Sequence, residues 1–237
     1  MTRKRIFLDS ADIGEIEFWS RTDLVSGVTT NPSLIARSPK GDYLKLVDEI
    51  CRVMAKRRRP LPGPHLSVEV TEETSEEMVK QGNRMCAMAS SQCVDLHVKV
   101  PIGPDYLEVI TALSSGGVNV NVTACATFPQ AQAAWFAGAR DVSFFFNRMK
   151  DAGIDAVSEI AEYRDYLSAE IAAGTKSSAI PEIICGSIRK PEDIHTCWDA
   201  GADIVTVSDK ILRTFITHPV TDTALKQFTE DFARWRS

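Results

Sequence analysis

The sequence predicts an α/β fold: a (β/α)8 TIM barrel with an additional C-terminal helix. Three observations lead there. Short β-rich runs alternate with amphipathic helical segments from one end to the other, and uninterrupted alternation means a parallel sheet. About eight such units fit into the 237 residues, which is the arithmetic of a closed barrel. No Gly-x-Gly-x-x-Gly follows any of the runs, and eight strands would be many for the rival architecture, a doubly wound open sheet.

The elements follow in order. Strands are expected over 6–10, 24–28, 66–70, 95–100, 118–123, 141–145, 182–186 and 203–207, each rich in Val, Ile, Leu or Phe. Helices are expected over 41–56, 75–91, 104–115, 129–137, 156–173 and 191–200. Pro104, Pro129 and Pro191 suit first-turn positions, where no backbone N–H is needed. Gly116, Gly138 and Gly201 follow their helices as C-caps. The basic and proline-rich stretch 56–64 reads as a helix end that complements the macrodipole, then a stiff loop; it is not a domain linker. Residues 1–237 are therefore expected to form one barrel domain. Residues 221–237 are a surplus helix with Leu225, Phe228, Phe232 and Trp235 at helical spacing, a stripe that must cover the barrel's own base or a neighbouring subunit.

Composition narrows the function classes. Hydrophobic residues make up 44% and charged residues 25%, which is globular rather than disordered or coiled-coil. The net charge of −5 argues against a general binder of nucleic acid or anionic membrane. No run of about 18 apolar residues occurs. The basic N-terminus is followed by Ile6, Phe7 and Leu8 and then Asp9, too short for a signal peptide, so a cytoplasmic location is expected. Six cysteines form no Cys-x-x-Cys pair, and no His-Glu-x-x-His occurs, so reduced thiols and no metal site are expected.

Barrel strands covered on both faces should be nearly all apolar. Several here alternate. Leu96, Val98 and Val100 oppose Asp95, His97 and Lys99; Val118, Val120 and Val122 oppose Asn119, Asn121 and Thr123. Ile6 and Leu8 oppose Phe7 and Asp9; Leu66, Val68 and Val70 oppose Ser67 and Glu69. Helices need the apolar face, so the polar face looks into the barrel, where each group must be paired or serve a ligand. Asp9, Asn31, Glu69, Lys99 and Thr123 lie towards strand C-termini, the end at which barrels carry chemistry.

Lys99 is the sharpest signal. Desolvation would lower its pKa and free an amine to attack a carbonyl; a structural ion pair with Asp9 or Glu69 is the alternative. His97, two residues deeper on the same face, reads as a hydrogen-bonded filler, while His65, His195 and His218 lie in scattered contexts. Arg148 and Arg189 follow late strands, where barrels commonly hold phosphate; an ion pair with Asp151 or Glu192 is the competing reading.

These residues resemble a known family. Phe7-Leu8-Asp9-Ser10-Ala11, Gly27-Val28-Thr29-Thr30-Asn31-Pro32-Ser33-Leu34-Ile35 and Val98-Lys99-Val100-Pro101 are similar to transaldolases, in particular the small members that include fructose-6-phosphate aldolase. Asn119-Val120-Asn121-Val122-Thr123, Asn147-Arg148 and Gly186-Ser187-Ile188-Arg189 continue the likeness in order.

The resemblance implies a Schiff-base mechanism without metal or organic cofactor, on phosphorylated sugars of the pentose phosphate type. Lys99 would form the imine, Asp9 would move the proton of the C4 hydroxyl, and Glu69 and Thr123 would hold a proton-shuttling water. Asn31 and Asn121 would position substrate hydroxyls and the imine. Arg148, Ser187 and Arg189 would bind phosphate, and Thr29, Ser143 and Phe145 complete the substrate-binding set.

Aldolase-type members resemble one another in carrying Gln and Tyr where this chain has Glu69 and Phe145. The resemblance therefore implies a transaldolase, with a fructose-6-phosphate aldolase-like lyase as the alternative. Phe144 and Ala124-Cys125-Ala126-Thr127 depart from the family pattern near the substrate tail. Small members are homo-oligomers, so a dimer, pentamer or decamer is expected.

Overall fold

The computed structural model describes residues 4–56, 63–176 and 179–236. Eight parallel strands pair in sequence order and close into a barrel: β1 (Arg5–Asp9), β2 (Val25–Thr29), β3 (His65–Glu69), β4 (Asp95–Pro101), β5 (Asn119–Cys125), β6 (Asp141–Phe145), β7 (Glu182–Gly186) and β8 (Ile204–Val207). Closure is made by β8 against β1, with Arg5 to Leu8 opposite Ile204 to Val207. All eight expected strands are present, several with borders moved by one or two residues.

The helices are α1 (Ile13–Ser20), α2 (Pro32–Ile35), α3 (Tyr43–Ala55), α4 (Ser75–Ser90), α5 (Leu107–Ser115), α6 (Phe128–Phe136), α7 (Phe146–Asp151), α8 (Ala156–Ala172), α9 (Glu192–Asp199), α10 (Asp209–Ile216) and α11 (Pro219–Arg236). Four of them, α1, α2, α7 and α10, are additional to the segments expected from periodicity. They are four to eight residues long, too short for a 3.6-residue period to stand out. Side-chain caps start two of them: Asp12 accepts from Glu15 N and Asn31 from Leu34 N.

The proline and glycine signals divide. Pro129 lies in the first turn of α6, Pro104 opens a 3-10 turn ahead of α5, and Pro191 is the N-cap of α9 rather than a first-turn residue. Gly116 is the C-cap of α5, followed by Gly117 at positive φ, and Gly138 and Gly201 take positive φ just beyond the C-caps of α6 and α9. The expected loop at 56–64 falls largely on residues 57–62, outside the described residues, as do residues 1–3.

The strand alternation builds two different interiors. Outward-facing Leu66, Val68, Val98, Val100, Val120, Val122 and Val142 pack with Ile50, Met85, Ile110, Leu113 and Ile160 of the helices. Burial of each such side chain is worth about 1.5–3 kcal/mol, which makes this layer the main source of stability. Inside the barrel the apolar cluster is small: Phe7, Ile184 and Ile204. Phe7 reaches so close to β2 that a Cβ on Gly27 would lie 2.7 Å from its ring, so only glycine fits there. The rest of the interior is polar, as the alternation predicts: Thr29, His65, Ser67, His97, Lys99, Asn121, Asp141, Ser143 and Thr206 are all buried.

The C-terminal helix does not cover the barrel's own base. No residue of α11 is buried, and Leu225, Phe228, Phe232 and Trp235 are all exposed, Trp235 at 79%.

Candidate active site

A cleft of about 310 Å³ opens at the C-terminal ends of the strands. Asp9, Thr29, Asn31, Glu69, Lys99, Thr123, Ser143, Phe145, Arg148 and Ser187 line it, from strands β1 to β6 and the segments that follow β2, β6 and β7. Two sequence-predicted residues do not. Asn121 lies beneath the cleft wall, fully buried, where it accepts a hydrogen bond from Ser143 at 2.7 Å. Arg189 is turned outward into a two-armed ion pair with Asp151, both groups being about half exposed. Of the two readings of Arg189, the pairing with an acid describes the structure.

Lys99 stands at the centre. Register places it opposite Glu69 on β3 and Asn121 on β5. Its side chain is 7% exposed; Nζ donates to the Thr30 carbonyl at 2.8 Å and lies 3.8 Å from Glu69 Oε2. Burial raises the pKa of Glu69, and the nearby Lys99 charge only partly offsets this. Burial also raises that of Asp9, opposed by Lys99, by a hydrogen bond from Thr29 and by Arg148 and Arg37. Two carboxyl groups with raised pKa values lining one cleft with an amine are the components of proton transfer.

The local sequence explains the placement. In Thr29-Thr30-Asn31-Pro32, the Thr29 hydroxyl donates to Asp9 at 2.8 Å, the Thr30 carbonyl holds Lys99, and Asn31 caps α2. Pro32 at the first position of α2 fixes the turn that makes this possible. Thr206, whose hydroxyl lies 2.5 Å from that of Thr29, completes the contact from β8. Thr206 is a site residue the sequence reading missed, although the same alternation along β8, with Thr206 between Val205 and Val207, marks it as inward.

Two non-glycine residues of the cleft are held at positive φ: Ala124 at +64° and Ser187 at +60°. Such a conformation costs about 1–3 kcal/mol and persists only where the surroundings enforce it. At Ala124 the β5–β6 register shifts between Val122 and Cys125. At Ser187 the enforcing residue is Asn147, whose amide donates to the Ser187 carbonyl at 2.9 Å and to Asp193 at 2.8 Å. Arg148 follows Asn147 on α7, on a helix rather than in the expected loop, with its guanidinium 4.7 Å from the centre of the Phe145 ring. Thr123 is buried and its hydroxyl has no hydrogen-bond partner among the described residues.

Deeper in the barrel, His65, His97 and Asp141 bring possible metal-ligating atoms within 4.8 Å of one another. The two rings are stacked, with centroids 3.8 Å apart; His65 Nε2 lies 2.8 Å from Ser67 Oγ and 3.8 Å from Asp141 Oδ2, the oxygen that also meets His97 Nδ1. His65 is thus no scattered histidine: it occupies the inward position of β3 two residues below Ser67.

A closed (β/α)8 barrel with a buried lysine and two carboxyl groups lining a cleft at its strand C-termini defines an enzyme-type barrel. The chain belongs to the transaldolase/fructose-6-phosphate aldolase family, whose model matches residues 6–237. It is 36% identical over 237 residues to a probable transaldolase of Dehalococcoides mccartyi, covering 98% of each chain. It is also 36% identical over 230 residues to one of Parvibaculum lavamentivorans, covering 97% of each, and 34% identical over 228 residues to one of Streptococcus agalactiae, covering 96% of this chain and 97% of that one. The family supports a transaldolase- or aldolase-type activity. Among the described residues no helix is long and apolar enough to cross a membrane.

Proposed function

We propose that this protein is a transaldolase that moves a dihydroxyacetone unit from a ketose phosphate to an aldose phosphate through a Schiff base on Lys99. The observation that carries the reading is the convergence of Lys99, Glu69, Asp9 and Thr123 on one cleft. The Lys99 amine attacks the C2 ketone of the donor; loss of water leaves an iminium, with Glu69 and the partnerless Thr123 hydroxyl holding the water that carries protons in and out. Asp9 accepts the C4 hydroxyl proton as the C3–C4 bond breaks. The bond electrons pass into the iminium to give an enamine, and the aldehyde fragment leaves. The enamine then adds to an acceptor aldehyde, and hydrolysis frees the product and Lys99.

Transfer rather than release is supported by Phe145. It lines the cleft where a phenol would be placed to protonate the enamine or activate water, and a phenyl ring can do neither. Arg148 and Ser187 would hold the substrate phosphate. Asn31 and Ser143 would contact substrate hydroxyls, with Asn121 acting on them through Ser143. No metal or organic cofactor takes part in these steps.

We further read α11 as packing on another copy of the chain in a homo-oligomer, which would cover its exposed apolar stripe, and the protein as cytoplasmic, with neither nucleic acid nor membrane as a partner.

The test is donor consumption with and without a panel of acceptor aldehydes. Consumption that depends on acceptor supports the transferase. Release of free dihydroxyacetone as fast as its transfer would make the protein a lyase of the fructose-6-phosphate aldolase kind.

A further inference from the structure

Beneath the cleft, His65 and Ser67 of β3, His97 of β4 and Asp141 of β6 form a second polar layer that the steps above do not use. His97 Nδ1 lies 2.5 Å from Asp141 Oδ2, and its Nε2 lies 3.4 Å from Asp95 Oδ2. The His65 ring stacks on His97, and the Phe7 ring lies 4.7 Å from it. From this floor a chain of hydrogen bonds rises to the cleft. His65 Nε2 is 2.8 Å from Ser67 Oγ, Asn121 Nδ2 donates to Ser67 Oγ at 3.0 Å, and Ser143 Oγ donates to Asn121 Oδ1 at 2.7 Å. Every member is buried, and Ser143 alone of them lines the cleft.

Counting protons gives the chain a direction. Ser67 Oγ already accepts from Asn121, and its own proton needs an acceptor in a fully buried place. The acceptor in reach is His65 Nε2, which must then be unprotonated, with the ring proton on Nδ1. The surroundings keep this ring neutral. Burial comes first and the stacked His97 second, with Arg5 at the start of β1 and Arg140 ahead of β6 acting in the same sense. The nearest acid to His65, Asp141, is 3.8 Å away and engaged by His97. His97 carries the charge: burial opposes it, but Asp141 and Asp95 together outweigh burial and hold its pKa up at about 9. With the proton of Ser143 committed to Asn121, the lone pairs of Ser143 are left for the cleft.

We propose that the His97–Asp141 ion pair, acting through a neutral His65, sets the donor direction of the Ser67–Asn121–Ser143 chain, so that Ser143 meets a bound sugar as a hydrogen-bond acceptor. His65, His97 and Ser67 are positioning residues in this scheme, and it rests on the cleft being the sugar site proposed above.

Histidine tautomers in the intact 237-residue chain read this directly. The chain has four histidines, so long-range proton–nitrogen NMR of 15N-histidine protein can be assigned with His195→Gln and His218→Gln. His65 is expected to stay neutral, with its proton on Nδ1, as pH falls below the ordinary histidine value, and His97 to stay doubly protonated through neutral pH. A His65 with its proton on Nε2, or one that titrates near the ordinary histidine value, overturns the proposal.

Activity supplies the second arm. His65→Gln keeps an acceptor for Ser67 and His65→Leu does not. The leucine variant is expected to raise KM for the donor ketose about 5- to 100-fold with a smaller effect on kcat, while the glutamine variant stays within about threefold of wild type. Equal effects in the two, or none, contradict the scheme. The NMR arm uses wild-type rings, so it decides even if the leucine variant fails to fold. A failed imine test at Lys99 would strike the proposed function without moving the tautomer, whereas a reversed tautomer would strike only this inference.

Discussion

Lys99 Nζ lies 3.8 Å from Glu69 Oε2, across the paired ends of β4 and β3. That is too long for a direct hydrogen bond, and it leaves the carboxylate free to serve a water or a leaving hydroxyl rather than locking the amine in a tight pair. Glu69→Gln keeps the shape and removes the proton transfer. It is expected to slow imine formation about 10²- to 10⁴-fold, the usual contribution of a positioned acid–base group, measured by a trapping time course with donor. An unchanged time course would assign Glu69 to the fold alone.

Phosphate recognition should be unequal between the two arginines. Arg148 faces the cleft, whereas Arg189 is held by Asp151. Arg148→Ala should lower kcat/KM about 10- to 150-fold for phosphorylated donors and little for unphosphorylated analogues, since one charge-assisted bond is lost. Arg189→Ala should cost less, and Asp151→Asn, which releases Arg189, should raise efficiency on phosphorylated donors. Equal losses on both donor types for Arg148→Ala would mean that it supports the fold rather than phosphate binding.

The buried imidazolium makes stability depend on pH. His97 has a folded pKa of about 9 against an ordinary value of 6.5, so its contribution is complete below pH 6.5 and is lost as pH rises towards 9. The loss is on the order of 3 kcal/mol. Urea unfolding of the wild type should weaken over this window, and that of His97→Gln should be flatter. Parallel curves would contradict a charged His97.

How much of this was legible in the sequence depends on which physical signal each feature leaves. The barrel was legible because strand–helix alternation is a long-range pattern, and the inward polar face because Lys99, Asn121 and Thr123 alternate with valines. His65 was not. The third strand begins one residue earlier than its apolar run suggests, which puts His65 just outside the expected element, and strand borders carry no composition signal of their own. The outward turn of Arg189 was not decidable either, because Asp151 lies 38 residues away and nothing local announces the pair. The left-handed Ala124 and Ser187 carry the wrong residue type for a sequence signal, since glycine or asparagine normally marks such a backbone.

The exposed stripe of α11 gives an assembly test. Removing residues 219–237 should lower the oligomer mass seen by light scattering by more than the mass of the deleted segments, because the covering contact is lost. An unchanged monomer before and after the deletion would refute the exchange of this helix between copies.

The most direct measurement of the central claim is borohydride reduction in the presence of a ketose phosphate donor, followed by peptide mapping. A reduced three-carbon adduct is expected on Lys99, absent without donor and absent in Lys99→Ala, which should also lose essentially all turnover. An adduct on another lysine, or none while turnover continues, would contradict it.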